Sequence, residues 1–287
     1  MLAQTNATRY YQYMMQINFF DFYKSVALDY QKQVLGISTF TPELIAQYRD
    51  TQVDLGAKYF KNASIDYSDP ITRIAYTLHY APKHATVWRE LAKSFSWKKA
   101  VPREWSLNSI GPGPGSDIFG MLSAIPKLDG VQISVFGLEE EEGWREIYEI
   151  ARDKFIELSG RPFESIMTNN LVNLNRSGQI IGSFVLTDAA RNNSAKLLLQ
   201  GLSNFSNSPN AMFLDFSSYL CPVTGESIYI SNLINEVCRN CKWDYLPETH
   251  SSLGDALRQD VDSSSGLIGV VPKFEVPKCS LFKVKLK

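Results

Sequence analysis

Apolar positions in the first third of the chain recur at helical spacing, whereas those in the rest gather into short runs separated by glycine, proline and asparagine. Tyr10 to Leu28 is dense in aromatics. Thr41-Pro42-Glu43 has an N-cap residue followed by proline at the first helical position, and Ser68-Asp69-Pro70 repeats that signal. The second signal opens a helix over 71–80, in which Ile74, Leu78 and Ala81 share a face; Pro82 ends it, and a further helix follows from about His84 to Phe95. Residues 1–104 therefore read as a helical lobe. Its basic cluster, Lys83, His84, Arg89, Lys93, Lys98, Lys99 and Arg103, is interleaved with Leu91, Phe95 and Trp97, the pattern of a solvated amphipathic face.

After Val101-Pro102 the pattern changes to that of a mostly parallel α/β sheet. Strands are predicted at 105–110, 131–136, 164–168, 179–186, 211–216, 267–271 and 280–286, with helices at 116–125, 143–159, 190–202 and 227–238. In the last strand Leu281, Val284 and Leu286 alternate with Lys283, Lys285 and Lys287, Phe282 being the exception. That reads as an edge strand blunted by lysine.

The chain has 287 residues, 44% of them hydrophobic, enough for a sizeable core. Lys and Arg number 29 against 30 Asp and Glu, so a life spent on phosphate contacts is disfavoured. The lobe carries a formal +4 and the remainder −5. No apolar run approaches the ~20 residues that span a bilayer, and no signal-peptide core follows Met1, which leads to the expectation of a soluble, cytoplasmic protein without a membrane partner. Cys221, Cys238, Cys241 and Cys279 all lie in the last quarter, too few and too local for a disulfide scaffold. With His250, three of them give an irregular spacing for zinc, so no metal site is expected.

Leu107-Asn108-Ser109-Ile110-Gly111-Pro112-Gly113-Pro114-Gly115-Ser116-Asp117 follows the first predicted α/β strand directly. A strand feeding a glycine loop into a helix is where such sheets bind nucleotides, because glycine admits the ligand to the backbone and the helix start offers free N–H donors. No lysine follows Gly115 as a phosphate-cradling P-loop requires, and the third glycine of the dinucleotide fingerprint is Ser116. The helix then begins with an acid, Asp117, unfavourable to pyrophosphate and favourable to an amino group.

Gly-x-Gly-x-Gly after an apolar strand resembles the first motif of the class I S-adenosylmethionine-dependent methyltransferases. The resemblance covers about residues 105–287. It implies a Rossmann-like, seven-stranded, mostly parallel sheet with an antiparallel C-terminal strand, the terminal hairpin 267–271 and 280–286 being similar to the family's last two strands. It also implies S-adenosylmethionine as cofactor, held by Gly111, Pro112, Gly113 and Gly115, with Glu139 (or Glu140, Glu141 or Glu142) at the ribose and Asn169 or Asn170 facing the adenine. The segment from Ile180 to Asp188, with Phe184, is similar to the part beneath the methionine end. One departure stands out: the acid usually found two positions before the first glycine is Ser109, and Asp117 is the residue placed to compensate.

Methyl transfer is an in-line displacement that rests mainly on alignment, so no covalent nucleophile is required. His79, His84, Asp188 and many tyrosines are candidate bases without one being singled out. Thr187-Asp188-Ala189-Ala190 stands where methyltransferases of base or amide nitrogens carry an Asn/Asp-Pro-Pro-aromatic signature, which disfavours those substrates. The N-terminal lobe is then a substrate cap, whose Tyr10, Tyr11, Tyr13, Phe19, Phe20, Phe22, Tyr23, Tyr76, Tyr80 and Trp88 either pack the helical core or line a pocket. The expected function is methylation of a small molecule. Rivals are a catalytically silent binding or scaffold protein, a nicotinamide oxidoreductase, and a methyltransferase of RNA or protein.

Overall fold

The computed structural model describes residues 17–61, 63, 65–94, 104–125, 131–191, 194–205, 211–215, 218–220, 227–237, 243–246, 251–264 and 280–284. Four helices come first: α1 (Phe19–Leu35), α2 (Pro42–Lys61), α3 (Pro70–His79) and α4 (Ala81–Ser94). The Asn18 side chain caps α1 by accepting from the N–H groups of Phe20 and Asp21, and left-handed Gly36 ends it. Asp69 caps α3 in the same way, with Pro70 as its first residue. Helix α3 stops at His79, just before Pro82, as the sequence suggested, and the next helix starts at Ala81, ahead of the expected His84. Pro82 sits in the first turn of α4, where a missing N–H removes no bond.

The α/β part runs β1 (Glu104–Ile110), α5 (Ser116–Ala124), β2 (Gln132–Leu138), α6 (Glu142–Ser159), β3 (Glu164–Thr168), β4 (Gln179–Ser183), α7 (Val185–Arg191), α8 (Ala195–Phe205) and β5 (Ala211–Asp215). Beyond it lie β6 (Ser218–Leu220), β7 (Ser227–Tyr229), α9 (Ile230–Val237), β8 (Trp243–Leu246), α10 (Ser251–Asp262) and β9 (Ser280–Val284). The main sheet has the order β3-β2-β1-β4-β5-β9-β8; β6 and β7 form a separate antiparallel pair. Strands β1 to β5 are parallel, while β9 runs antiparallel to both its neighbours. This is a Rossmann-like α/β fold. Strand order reverses between β1 and β4, so the crevice for a ligand opens at the carboxyl ends of those two strands.

Four expectations change. The apolar run 179–186 is strand only to Ser183, because Phe184 adopts a left-handed backbone (φ 59°) and the buried Asp215 carboxylate accepts from the N–H groups of Leu186 and Thr187, capping α7 instead. The helix foreseen at 190–202 divides into α7 and α8. The first three residues of the helix foreseen at 227–238 pair as β7. The last strand is no edge: β9 lies between β5 and β8, and Phe282, on the face opposite Leu281, is fully buried. The strand predicted at 267–271 and all four cysteines lie outside the described residues, as do Lys98, Lys99 and Arg103.

Period-two alternation sends Ile181, Met212, Leu214 and Leu281 into a core shared with α1, α4, α5 and α6, and Ile180, Phe213 and Phe282 into a second core under α7, α8 and α9. Each fully buried side chain of this kind stabilises the fold by roughly 1.5–3 kcal/mol. Helices α4 and α5 cross closely because Gly120 offers no Cβ, which would collide with the Ala85 carbonyl. Most of the basic face of α4 is not solvated, only Lys93 being partly exposed. Lys83, His84 and Arg89 are buried, and Arg89 reaches the Asp260 carboxylate of α10 at 3.1 Å while also donating to the Ile17 carbonyl. Thr86 donates to the same carboxylate at 2.7 Å. Among the described residues no helix is long and apolar enough to cross a membrane.

Candidate functional site

Strand β1 delivers the glycine loop to the switch point. Gly111, Gly113 and Gly115 all have positive φ (60°, 50° and 78°), a conformation that side chains resist. A Cβ at Gly115 would strike the Phe119 ring, so this glycine lets α5 start directly beneath the loop. The Gly111 N–H donates to the Leu138 carbonyl at the end of β2, which ties the loop to the next strand. Above the loop lies a cavity of about 490 Å³, walled by the ends of β1, β2 and β4, the start of α6 and α7, and aromatic residues of the N-terminal helices.

Two acids serve the loop from different sides. Glu139, just past β2, lines the cavity; its carboxylate accepts from Gly113 N–H at 3.0 Å and from Glu141 N–H at 3.2 Å. Burial pushes its pKa up, partly offset by those donors. Asp117 lies below. It is almost wholly buried and accepts from Ser109 Oγ at 2.6 Å and from the Ile118 N–H at 2.8 Å. Burial outweighs both bonds and pushes the Asp117 carboxyl up to about 7.

The opposite wall is aromatic. Trp144 of α6 meets Tyr67 at 5.5 Å and Tyr76 at 5.3 Å between ring centroids, and Tyr67 meets Tyr76 at 5.9 Å. The buried Arg73 guanidinium sets this wall by donating to the carbonyls of Tyr67 and Ser68 and to the Tyr30 hydroxyl. Tyr59 and Tyr67 share a hydrogen bond of 2.5 Å between hydroxyls. Burial first, then the neighbouring phenol of Tyr67 and, after it, the charge of Asp188 hold the pKa of Tyr59 and Tyr76 well above the ordinary phenol value, so both stay protonated. Asp188 of α7 lines the same cavity. At the end of β4, Trp88 donates from Nε1 to Ser183 Oγ at 2.7 Å, and Phe184 packs its ring on His84 at 4.7 Å.

Of the residues singled out by sequence, Gly111, Gly113, Glu139 and Phe184 come together around the cavity. Pro112, Gly115 and Asp117 shape the loop without lining it. Asn169 and Asn170 are exposed past β3, and Asn170 caps a short 3-10 turn by accepting from the Val172 N–H. His79 and His84 are buried and do not line the cavity, though His84 backs it by packing on Tyr76 and Phe184; burial first, and Lys83 second, push both down to about 3, so they are neutral. Of the aromatic candidates, Phe19, Phe22 and Tyr23 pack the core and Tyr76 reaches the cavity. Tyr10, Tyr11 and Tyr13 lie outside the described residues. Sequence reasoning missed Tyr59, Tyr67 and Trp144, which had no local signal beyond being aromatic.

The cavity lining holds four carboxylates, Glu139, Glu140, Glu141 and Asp188, and among the described residues no Lys, Arg or His lines it. Arg73 Nη1 is 3.8 Å from Glu141 and offsets part of that charge. No group of three His, Cys, Asp or Glu suited to a metal ion occurs among the described residues.

No family model matches the chain, and no curated protein matches it. Solved structures are similar in outline. Mitomycin 7-O-methyltransferase is 14% identical over 84% of this chain and 60% of its own, with a TM-score of 0.47. A protein from Burkholderia thailandensis bound to S-adenosyl-homocysteine is 11% identical over 86% and 94%, with a TM-score of 0.45. Magnesium protoporphyrin IX methyltransferase from Synechocystis PCC 6803, solved with bound S-adenosylmethionine, is 10% identical over 88% and 100%, with a TM-score of 0.43.

Proposed function

We propose that the chain is an S-adenosylmethionine-dependent methyltransferase acting on a small molecule, with the helices of residues 1–104 as the substrate lobe. The observation that carries the reading is the cavity at the switch point, floored by the left-handed glycines and the Glu139 carboxylate. Those residues fit the cofactor. Gly111 and Gly113 would meet its nucleoside without a side chain intervening, Glu139 is a carboxylate suited to paired ribose hydroxyls, and the acidic lining favours its positive sulfonium. Phe184 and the end of β4 would lie under the methionine end, with Asn169 and Asn170 at the adenine side. Pro112, Gly115 and Asp117 would support the loop from beneath.

When bound, the cofactor would supply a methyl group for in-line attack by an acceptor lone pair, the carbon–sulfur electron pair leaving with the sulfur. The chain's own part is alignment and exclusion of water. Trp144, Tyr67 and Tyr76 close one side of the cavity, while the Trp88–Ser183 hydrogen bond fixes the helical wall against the sheet. A small acceptor is favoured over a nucleic acid because Lys83, His84 and Arg89 of α4 are buried and the lining is acidic.

Calorimetric titration with S-adenosylmethionine and S-adenosyl-homocysteine, with NAD as control, tests this. One-to-one micromolar binding of the first two is expected. Failure of both would leave a silent binding protein, and binding of NAD alone would make the loop a dinucleotide site.

A further inference from the structure

The carboxyl end of β4 presents the cavity with a hydroxyl that is fixed from behind. Ser183 is half-buried, lines the cavity and shares its strand face with Ile181, toward α4. The fully buried Trp88 of α4 donates from Nε1 to Ser183 Oγ at 2.7 Å. An indole nitrogen only donates, so this bond takes one lone pair of the serine oxygen and leaves the serine proton unspent. Among the described residues that proton has no acceptor. What Ser183 turns to the cavity is therefore one O–H donor and one remaining lone pair.

We propose that Ser183 selects the methyl acceptor by donating to a hydroxyl oxygen of an uncharged molecule, so that transfer is to oxygen, with Trp88 as the positioning residue behind it. The assignment rests on the methyltransferase reading, which brings the methionine end of the cofactor to the end of β4. A hydroxyl oxygen has two lone pairs: one takes the Ser183 proton and the other forms the new bond. A neutral amine nitrogen has one. If it accepted the Ser183 proton it would have nothing left for the methyl group, and if it did not, the serine donor would stand unmatched. An ammonium has no lone pair to offer. A carboxylate would meet Glu139, Glu140, Glu141 and Asp188, with no Lys, Arg or His in the lining among the described residues. In the transfer the O–C bond forms as the C–S bond breaks, its electron pair going to sulfur, and the acceptor's hydroxyl proton leaves to water. Ser183 keeps its own proton and holds the oxygen in line.

Phenol, aniline and benzoate, each titrated into the full chain by calorimetry with and without saturating S-adenosyl-homocysteine, test the selection. Phenol is expected to bind at least about tenfold tighter than the other two. Ser183→Ala should weaken phenol roughly fivefold or more while S-adenosyl-homocysteine affinity stays within about threefold. A second readout needs no stable variant of the serine. When Ser183 donates to phenol its oxygen becomes a better acceptor, so the Trp88 indole N–H resonance, identified by its loss in Trp88→Phe or its change in Ser183→Ala, should move downfield on adding phenol and stay in place with benzoate. A serine that merely packs against Trp88 would leave that resonance still. Equal binding of the three probes, no binding of any, phenol affinity unchanged in Ser183→Ala, or an unmoved indole resonance overturns the proposal. Phenol selection through Ser183 without S-adenosyl-homocysteine binding would keep the hydroxyl site and discard the cofactor; the reverse would keep the cofactor and discard the oxygen acceptor.

Discussion

Ser109 Oγ donates a 2.6 Å hydrogen bond to the Asp117 carboxylate beneath the glycine loop, joining the last turn of strand to the first turn of helix. Eight positions apart in sequence, the two residues meet because left-handed Gly115 starts α5 directly under the loop. The acid here supports the loop from the core side instead of facing the cavity.

That geometry predicts a pH signature. Asp117 is raised from an ordinary 3.8 to about 7, so the folded state holds its proton longer than the unfolded chain. Its stabilising contribution is complete below pH 3.8 and is lost as pH rises toward 7, on the order of 4 kcal/mol in all. Neutral His79 and His84 act oppositely, since their contribution is present above 6.5 and fades as pH falls toward 3. Comparing Asp117→Asn with the unsubstituted chain cancels the histidines. The variant's relative stability should increase between pH 5 and pH 8, read from guanidinium midpoints, and a flat difference would refute the buried acid.

Gly113→Val forces a β-branched residue into φ 50° at the cavity floor, at a cost of roughly 1–3 kcal/mol. Its Cβ would stand 3.9 Å from Trp144 with room for the backbone to persist. S-adenosyl-homocysteine affinity should fall by more than about tenfold while circular dichroism stays unchanged. Retained affinity would remove the loop from the site.

Phe184 is the non-glycine residue with a left-handed backbone among those described. Phe184→Ala and Phe184→Gly both lose the ring packed against His84, and only the glycine relieves the strain. Phe184→Gly should therefore be the more stable variant by about 1 kcal/mol, the reverse of the usual order of these two residues. Thermal melts of the pair decide it.

Asp260→Ala would take one of two carboxylates from the buried Arg89 guanidinium, Glu90 still accepting from Nε at 2.9 Å, and would leave Thr86 without its acceptor. A loss of about 1–3 kcal/mol is expected, since buried donors of Arg89 and Thr86 lose their acceptor while the charge of Arg89 stays paired with Glu90. Urea midpoints give the value; a loss below about 1 kcal/mol would mean that the pair is no better than an exposed one.

Much of this was legible locally. The α/β alternation, the Asp69-Pro70 start of α3 and the glycine loop all carry their cause within a few residues. So does Glu139, next to the strand that positions it. What was not legible depends on partners far along the chain. Phe184 to Leu186 looks like strand until Asp215, 29 positions past Leu186, caps those N–H groups as helix. Phe282 looked like a flaw in an edge strand because β8, its outer neighbour, had no clear pattern. Tyr67 reaches the cavity through Arg73, whose basic charge gave no hint that it would be buried under its own helix start. The same applies to Lys83 and Arg89, polar letters on a face that another helix covers.

The bond from Arg89 to Asp260 also gives the chain an order of assembly. During synthesis α4 emerges some 170 residues before α10, and until then a guanidinium destined for the interior has only one of its two carboxylates, Glu90. The aromatic wall rests on these same N-terminal helices, while Phe184 and Asp188 come from the middle of the chain. A partly made polypeptide would therefore display a loosely held cavity wall, and affinity for ligand should rise steeply only when residue 260 is free to fold back.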